Sequence, residues 1–264
     1  MNIFKCLALT TMLFVSTSVT AACDKVLTNG WGIEWIPFEM GTPDNPSGFD
    51  MEMLEAIVKA SGCTLKHSNE VIPWARRLHL VKKGLFDLTV GVSISKERKE
   101  AAYFTDAYRN EIIGVYVRKT DVDKYSKMAI DEIIDSDFVM GGELGNHYGN
   151  VMDGYLKRMG KNRMYRVIRN EQNMRMLIKG RIDGYIGFLP AETLLIKEQG
   201  YEDEIVLLPN FKIKTGGIHI MLTKKNNSPE ILKALNSGLS EIRRNGTYDE
   251  IIKKYSEIYN VDEW

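Results

Sequence analysis

The chain has 264 residues, and its 35 Lys and Arg are balanced by 35 Asp and Glu. A formal net charge of zero gives no reason to expect nucleic acid or an anionic membrane surface as partner. The apolar fraction, 44%, is that of an ordinary globular protein rather than a disordered or membrane-embedded one.

The chain opens with Lys5, an apolar run from Cys6 to Val15, and small residues up to Thr20-Ala21-Ala22. That order matches the charged, apolar and cleavage regions of a secretory signal, and the run falls short of the ~20 residues that span a bilayer. Residues 1–22 are therefore expected to be a cleaved signal peptide, which leaves Cys23 first. Thr20 stands where a lipoprotein signal carries Leu, so free export is expected rather than a lipid anchor.

Lys25 to Trp31 reads as a strand. Phe49 to Ala60 reads as an amphipathic helix, with Met53, Leu54, Ile57 and Val58 on one face and Gly62 beyond its end. Thr64 to Ser68 is a second strand. Cys23 and Cys63 open these two strands. In a β-α-β unit parallel strands lie side by side and start at the same edge, so a disulfide is expected between them once Cys6 has left with the signal. Closing such a loop stabilises by about 4 kcal/mol in the chain-entropy model.

Trp74 to Lys83 is a helix stopped by Gly84. Phe86 to Val92 is a short apolar run read as a buried strand, Lys96 to Ala102 a short helix, and Ile112 to Val117 another buried strand. The alternation then continues. Strands are expected at Phe138 to Gly141, Tyr165 to Ile168, Tyr185 to Gly187, Ile205 to Leu208 and Gly217 to Thr223. Helices are expected at Tyr148 to Met159, Gln172 to Lys179 and Ala191 to Gln199. Ser228-Pro229 starts a helix striped by Ile231, Leu232, Leu235, Leu239 and Ile242, and Tyr248 to Tyr259 closes the chain. Strands alternating with helices predict the α/β class with parallel sheets.

The stretch with most chemical content runs from Gly91 to Arg98 and on to Tyr108. A buried strand ends near Val92, Ser95 can cap the helix that follows, and Arg98 lies in its first turn. Free backbone N–H groups, two hydroxyls and a guanidinium at one strand end suit an anion, ideally a carboxylate taken bidentately. Ligand crevices of open α/β sheets lie at such carboxyl ends. His67, His79 and His219 are isolated, without metal-ligand spacing. Gly141-Gly142-Glu143-Leu144-Gly145 lacks the Lys-Ser/Thr of a phosphate loop, and no Ser-His-Asp or Cys-His arrangement is legible.

The Gly91–Tyr108 stretch resembles the signature of the family-3 bacterial extracellular solute-binding proteins, the polar amino acid group. Other segments agree in order: Glu34-Trp35-Ile36-Pro37-Phe38, Gly48-Phe49-Asp50, Gly84 with Asp87, Gly180-Arg181-Ile182-Asp183, and Asn245-Gly246-Thr247-Tyr248 with Lys253-Lys254-Tyr255. The resemblance implies a two-lobed periplasmic-binding-protein fold of type II. Each lobe would be a mixed, mostly parallel sheet flanked by helices, and two hinge strands would join them. Lobe 1 would hold residues 23–118 and 217–264, and lobe 2 residues 119–216.

It also implies roles. Arg98 would bind the ligand carboxylate, with Ser93 beside it. Trp35 and Trp74 would be aromatic walls. Asn146 would sit at the start of a lobe 2 helix, with His147 and Tyr148 as additional polar aromatics there. Phe188 stands where amino-acid-binding members carry an ammonium-binding Asp, so a free α-amino group lacks its usual partner. Glu34 or Glu192 are the substitutes, and Arg76 beside Trp74 is a second candidate cation. An organic acid or acyl-amino compound then fits as well as an amino acid. Asp183 is expected to stabilise a turn, and Trp31 and Phe38 to belong to the core.

The function implied is a periplasmic, monomeric solute-binding protein. It would deliver a small anionic ligand to the membrane permease of an ABC transporter, with no cofactor, no metal and no catalysis of its own. Two other classes share the fold: periplasmic dehydratases acting on cyclic acids, for which Glu34, Glu143 or His147 could serve as acid or base, and receptors that signal to a membrane kinase. Fold resemblance does not separate them.

Overall fold

The computed structural model describes residues 23–32 and 34–259; the expected signal peptide, 1–22, lies outside the described residues. The strands are β1 (Val26–Asn29), β2 (Met40–Thr42), β3 (Asn45–Ser47), β4 (Thr64–His67), β5 (Leu88–Ser93), β6 (Ala102–Phe104), β7 (Arg109–Arg118), β8 (Met140–Glu143), β9 (Met164–Val167), β10 (Gly184–Leu189) and β11 (Ile205–Thr223). The helices are α1 (Phe49–Ala60), α2 (Trp74–Lys83), α3 (Lys96–Ala101), α4 (Val122–Tyr125), α5 (Ile130–Asp135), α6 (Gly149–Met159), α7 (Asn170–Ile178), α8 (Ala191–Glu198), α9 (Pro229–Arg244) and α10 (Thr247–Tyr259).

Among the described residues, nine strands form one sheet in the order β4-β1-β5-β11-β7-β10-β8-β9, with β6 paired to β11 and a separate β2-β3 hairpin. β1 is parallel to β4 and β5, and β8 is parallel to β9 and β10. β7 and β11 run antiparallel to each other and to their outer neighbours. The two parallel sets are thus two half-sheets, joined along a central β7-β11 ribbon. This is the two-lobed α/β architecture expected from the sequence.

Each half has its own core. In the first lobe Leu27, Phe49, Leu54, Ile57, Leu239 and Tyr255 pack together where α1, α9 and α10 cover the sheet. In the second, Ile113, Val115, Phe138, Met152 and Phe211 form one cluster, and Tyr116, Met174, Leu177 and Tyr185 another. The disulfide is present: Cys23 and Cys63 are bonded with Cα atoms 4.6 Å apart, one turn of chain before the Val26–Thr64 register of β1 and β4.

Local chemistry explains the element ends. Gly84 terminates α2 in the left-handed conformation, φ 78°. Asp87 ties the following turn to β1 by accepting from Thr28 N (2.9 Å), Thr28 Oγ1 (2.7 Å) and Lys25 Nζ (2.9 Å). That turn consumes Phe86, so β5 starts two residues later than the apolar run suggested. Asp183 accepts from Val139 N at 2.8 Å and so holds the turn into β10, as expected for that residue.

The largest difference from the sequence expectation is β11. Ile205–Leu208 and Gly217–Thr223 were expected as two strands, but they are the ends of one 19-residue strand. Pro209 and the Gly216-Gly217 pair do not break it. Its pairing with β7 instead shifts register between Leu207 and Lys212 and again between Lys214 and Gly216.

Candidate functional site

β5 ends at Ser93, and the chain turns through Ser95 into α3. The Ser95 hydroxyl accepts from Arg98 N at 3.2 Å, a helix N-cap that aims the Arg98 side chain back toward the strand end. There Arg98 Nη1 donates to Ser93 O (2.7 Å) and to Ser93 Oγ (3.2 Å). Arg98 Nη2 donates to Gly145 O of the second lobe at 2.8 Å, and Ser93 Oγ donates to His147 O at 3.2 Å. Both contacts join one lobe to the other. Burial lowers the Arg98 pKa against the opposing pull of Glu111 and Asp153. With five N–H donors in its fork, the guanidinium still has capacity for an acceptor in the cavity it lines.

The segment of lobe 2 facing it is held firmly. Tyr148 accepts from Glu143 N at 2.7 Å through its hydroxyl, and Tyr148 N donates to Asp153 Oδ1 at 3.0 Å. Asp153 also holds His147 Nδ1. Burial opposes ionisation of Asp153, but His147 and the Tyr148 N–H outweigh it and keep its carboxyl below the usual range. Gly145 has φ +91°, and a Cβ placed on it would lie 3.0 Å from the Ala75 Cα of α2. Its bare backbone is what lets this loop approach the first lobe so closely. Asn146 does not open a helix, as the resemblance implied: α6 starts at Gly149, and residues 146–148 form the loop before it.

The aromatic walls have charged supports. Trp35 packs on Phe38 at 4.5 Å between centroids, and Arg109 lies over both rings, 4.1 Å from Phe38 and 5.8 Å from Trp35. Arg109 is fixed by a bidentate pair with Asp50, 2.7 and 3.0 Å, both side chains buried. Trp74 opens α2, and Arg77, three residues on, lies 5.0 Å from its ring while bonding both oxygens of Glu39 at 2.7 Å. Glu39 pairs with Trp35 in a β-bridge, so this buried ion pair links the two tryptophan walls. Phe188 meets Trp35 edge-on at 5.7 Å and Tyr148 at 5.6 Å. Trp31 and Phe38 are core residues, as expected.

These parts enclose a cavity of about 190 Å³, lined among others by Trp35, Trp74, Ser93, Arg98, Asn146, His147 and Phe188. Seven of the candidates named from the sequence thus line one space, while Arg76 and Tyr148 do not. Of the two suggested ammonium partners both line it. Glu34 is exposed, whereas Glu192 is 2% exposed at the start of α8. Arg76 is exposed; beside Trp74 it is Arg77 that joins the cavity wall.

Three acids in the wall, Glu111 and Glu192 buried and Glu143 half-buried, were not foreseen together. Burial pushes the Glu111 carboxyl up to about 7, opposed by Arg109 and the Thr215 hydroxyl at 3.1 Å. Burial pushes Glu192 up to about 7, opposed by Tyr185 and by Asn170, whose Nδ2 donates to Oε2 at 2.7 Å. Glu143 rises to about 8 through burial and the charges of Glu192 and Glu171. Glu111 faces the Arg98 end of the cavity; Glu143 and Glu192 affect each other. Sequence spacing carries no signal for this grouping, since β7, β8 and α8 come from distant parts of the chain.

Two half-sheets meeting on a crossed-strand ribbon, with an arginine, tryptophans and a helix-preceding loop converging on one cavity of mixed polar and apolar lining, define a two-lobed solute-binding fold. The chain belongs to the bacterial extracellular solute-binding proteins, family 3, whose profile matches residues 27–258. It is 25% identical over 229 residues to a protein of Neisseria gonorrhoeae named "Probable histidine-binding protein", covering 84% of this chain and 80% of that one. In fold it is similar to an ancestral arginine-binding protein bound to arginine, with a TM-score of 0.71 and 20% identity over 87% of this chain and 97% of that one. It is equally similar to a histidine kinase sensor domain, with a TM-score of 0.71 and 18% identity over 89% and 96% of the two chains.

Proposed function

We propose that this protein is an exported solute receptor that closes around one small carboxylate-bearing ligand, an amino acid or a related organic acid, and delivers it to an ABC permease. It works as a monomer in the periplasm after loss of residues 1–22, and it catalyses nothing. Lobe 1 comprises residues 23–118 and 217–264, lobe 2 residues 119–216, and β7 and β11 are the hinge.

The observation that carries this reading is Arg98. Its guanidinium stands at the carboxyl end of β5, bonded to Ser93 on one lobe and to Gly145 on the other. A carboxylate bound there meets donors from a fork suited to bidentate contact, and the same side chain couples ligand contact to lobe closure. Trp35, Trp74 and Phe188 give the body of the ligand apolar walls, and Asn146 and His147 supply polar groups from lobe 2. The names of the curated relatives, which are binding proteins, support a receptor over an enzyme.

The test is the molecule that copurifies. Mature protein purified without denaturation, then denatured and analysed by mass spectrometry, is expected to release a stoichiometric small acid or amino acid, unchanged in mass on prolonged incubation. Conversion of that molecule into a product would replace the receptor by an enzyme. A released compound without any carboxylate would remove the assigned role of Arg98.

A further inference from the structure

The zero net charge of the chain hides an uneven distribution. Residues 157–181 carry nine Lys and Arg and a single acid, Glu171. They run from the end of α6 through β9 and α7, so the surplus gathers on one side of lobe 2, at the sheet edge that β9 forms. Some of these cations are spent locally. Arg158 pairs with Asp131 and Asp135, Arg169 pairs with Glu171, and Arg163 donates to the Ile134 and Ser136 carbonyls. Arg166 donates to Glu143 O at 3.2 Å.

Arg175, Lys179 and Arg181 are not spent. All three are exposed, and among the described residues their side chains have no hydrogen bond or ion pair. Gln172, Arg175, Met176 and Lys179 follow the i, i+3, i+4, i+7 spacing that sets them on one face of α7. With Arg181 and Val167 of β9 they line an open groove, to which Val167 and Met176 give an apolar part. Tyr165, two residues before Val167 and so on the same face of β9, is 49% exposed. Local needs do not account for three cations here. The C-terminal dipole of α7 is worth about half an elementary charge. Asp183, two residues beyond Arg181, is engaged by Val139 N and Arg118. Like charges gathered without counterions repel one another, and an anionic surface relieves that repulsion.

We propose that this basic side of lobe 2, centred on the groove between α7 and β9, rests on an anionic phospholipid surface. A bilayer suits it better than a small anion. The groove is open rather than enclosed, two more exposed cations, Lys157 and Lys161, lead into β9, and Tyr165 is an aromatic of the kind that settles among head groups. An exported receptor without a lipid anchor gains from such an attraction, which raises its concentration at the membrane that holds the permease. The inference goes beyond the function proposed above and does not depend on what the cleft binds.

Cosedimentation of the mature chain with vesicles of equal parts phosphatidylglycerol and phosphatidylcholine, against vesicles of phosphatidylcholine alone, tests this. At low salt the anionic vesicles are expected to bind at least about tenfold better, since each cation near such a surface contributes about fivefold. The preference should vanish at 1 M salt, where the screening length falls to about 3 Å. The triple variant Arg175→Gln, Lys179→Gln, Arg181→Gln is expected to lose about ten- to a hundredfold. A control with the same change of charge on exposed lysines of lobe 1, Lys59→Gln, Lys66→Gln and Lys233→Gln, should stay within about threefold of wild type. Thermal unfolding verifies both folds. Both variants should keep wild-type affinity for the copurified ligand, so that a failure here and a failure of the receptor reading are told apart. Equal binding to both kinds of vesicle, or equal loss in the two variants, overturns the inference. So does a chain that ignores the vesicles but binds polyglutamate through the groove, losing it in the groove variant; that result gives the groove to an acidic protein segment.

Discussion

Replacing Arg98 by Ala removes three hydrogen bonds seen in the structure, two to Ser93 and one to Gly145 O. It also removes the fork assigned to the ligand. A hydrogen bond to a charged group contributes about 1.5–3 kcal/mol, and losing the lobe-to-lobe link to Gly145 adds about 1 kcal/mol to the cost of closure. Non-additivity trims the sum, so binding of the copurified ligand is expected to weaken by roughly 2–4 kcal/mol, about 30- to 700-fold. The folded state loses little, because no packed apolar group goes and water can reach the freed carbonyls from the cavity. A change of about 1 kcal/mol shifts the melting temperature of a chain this size by about 2–4 °C. Arg98→Lys keeps the charge without the fork and should fall between the two. Calorimetry reads the affinity, and thermal unfolding without ligand reads the fold. An affinity for Arg98→Ala within threefold of wild type would refute the placement of the carboxylate.

Gly145→Val sets a branched side chain at φ +91° and against Ala75. It is expected to weaken binding at least tenfold by holding the lobes apart, with a ligand-saturated radius of gyration in small-angle scattering that stays at the ligand-free value; a normal contraction would show that this contact does not limit closure. pH gives a further check. Glu111 and Glu192 near 7 and Glu143 near 8 bind protons in the folded state that unfolded glutamates release near 4.3. Below about pH 7 the partly buried His67 and His219, whose pKa values burial lowers, act in the opposite direction; above it the unfolded state holds fewer protons, and stability falls as pH rises. The melting temperature of ligand-free protein should drop from pH 7 to 8.5, and Glu192→Gln should lessen the drop; a rise over that range would contradict the burial assigned to these acids.

Much of the fold was legible because its signals are local. The apolar stripe of α1, the left-handed stop at Gly84 and the Ser95 cap each depend on residues within a few positions. β11 was not, because Pro209 and Gly216-Gly217 read as breakers unless the long pairing with β7 is known. The hairpin of β2 and β3 was missed between Pro43 and Pro46, where proline suppresses any strand pattern. At the site, Ser93, Arg98 and the aromatic walls followed from a strand-end motif and from resemblance. Arg77 did not, although helix phase held the clue: with Trp74 opening α2, a residue three positions on shares its face and a residue two on does not. Glu111, Glu143 and Glu192 meet only in the folded chain, and no spacing could announce them.

The position of β11 has a consequence for how the protein is made. This strand sits between β5 and β7, yet it is among the last segments to be synthesised; Ile218 pairs with Ser93 from far along the chain. At about 5–20 residues per second, the inner edge of β5 stands open for on the order of ten seconds while the second lobe is being produced. An unpaired edge of this kind is a template for intermolecular pairing. The first lobe is therefore the vulnerable part of the nascent chain. A factor that delays folding until the whole polypeptide is available would protect it at the β5 edge.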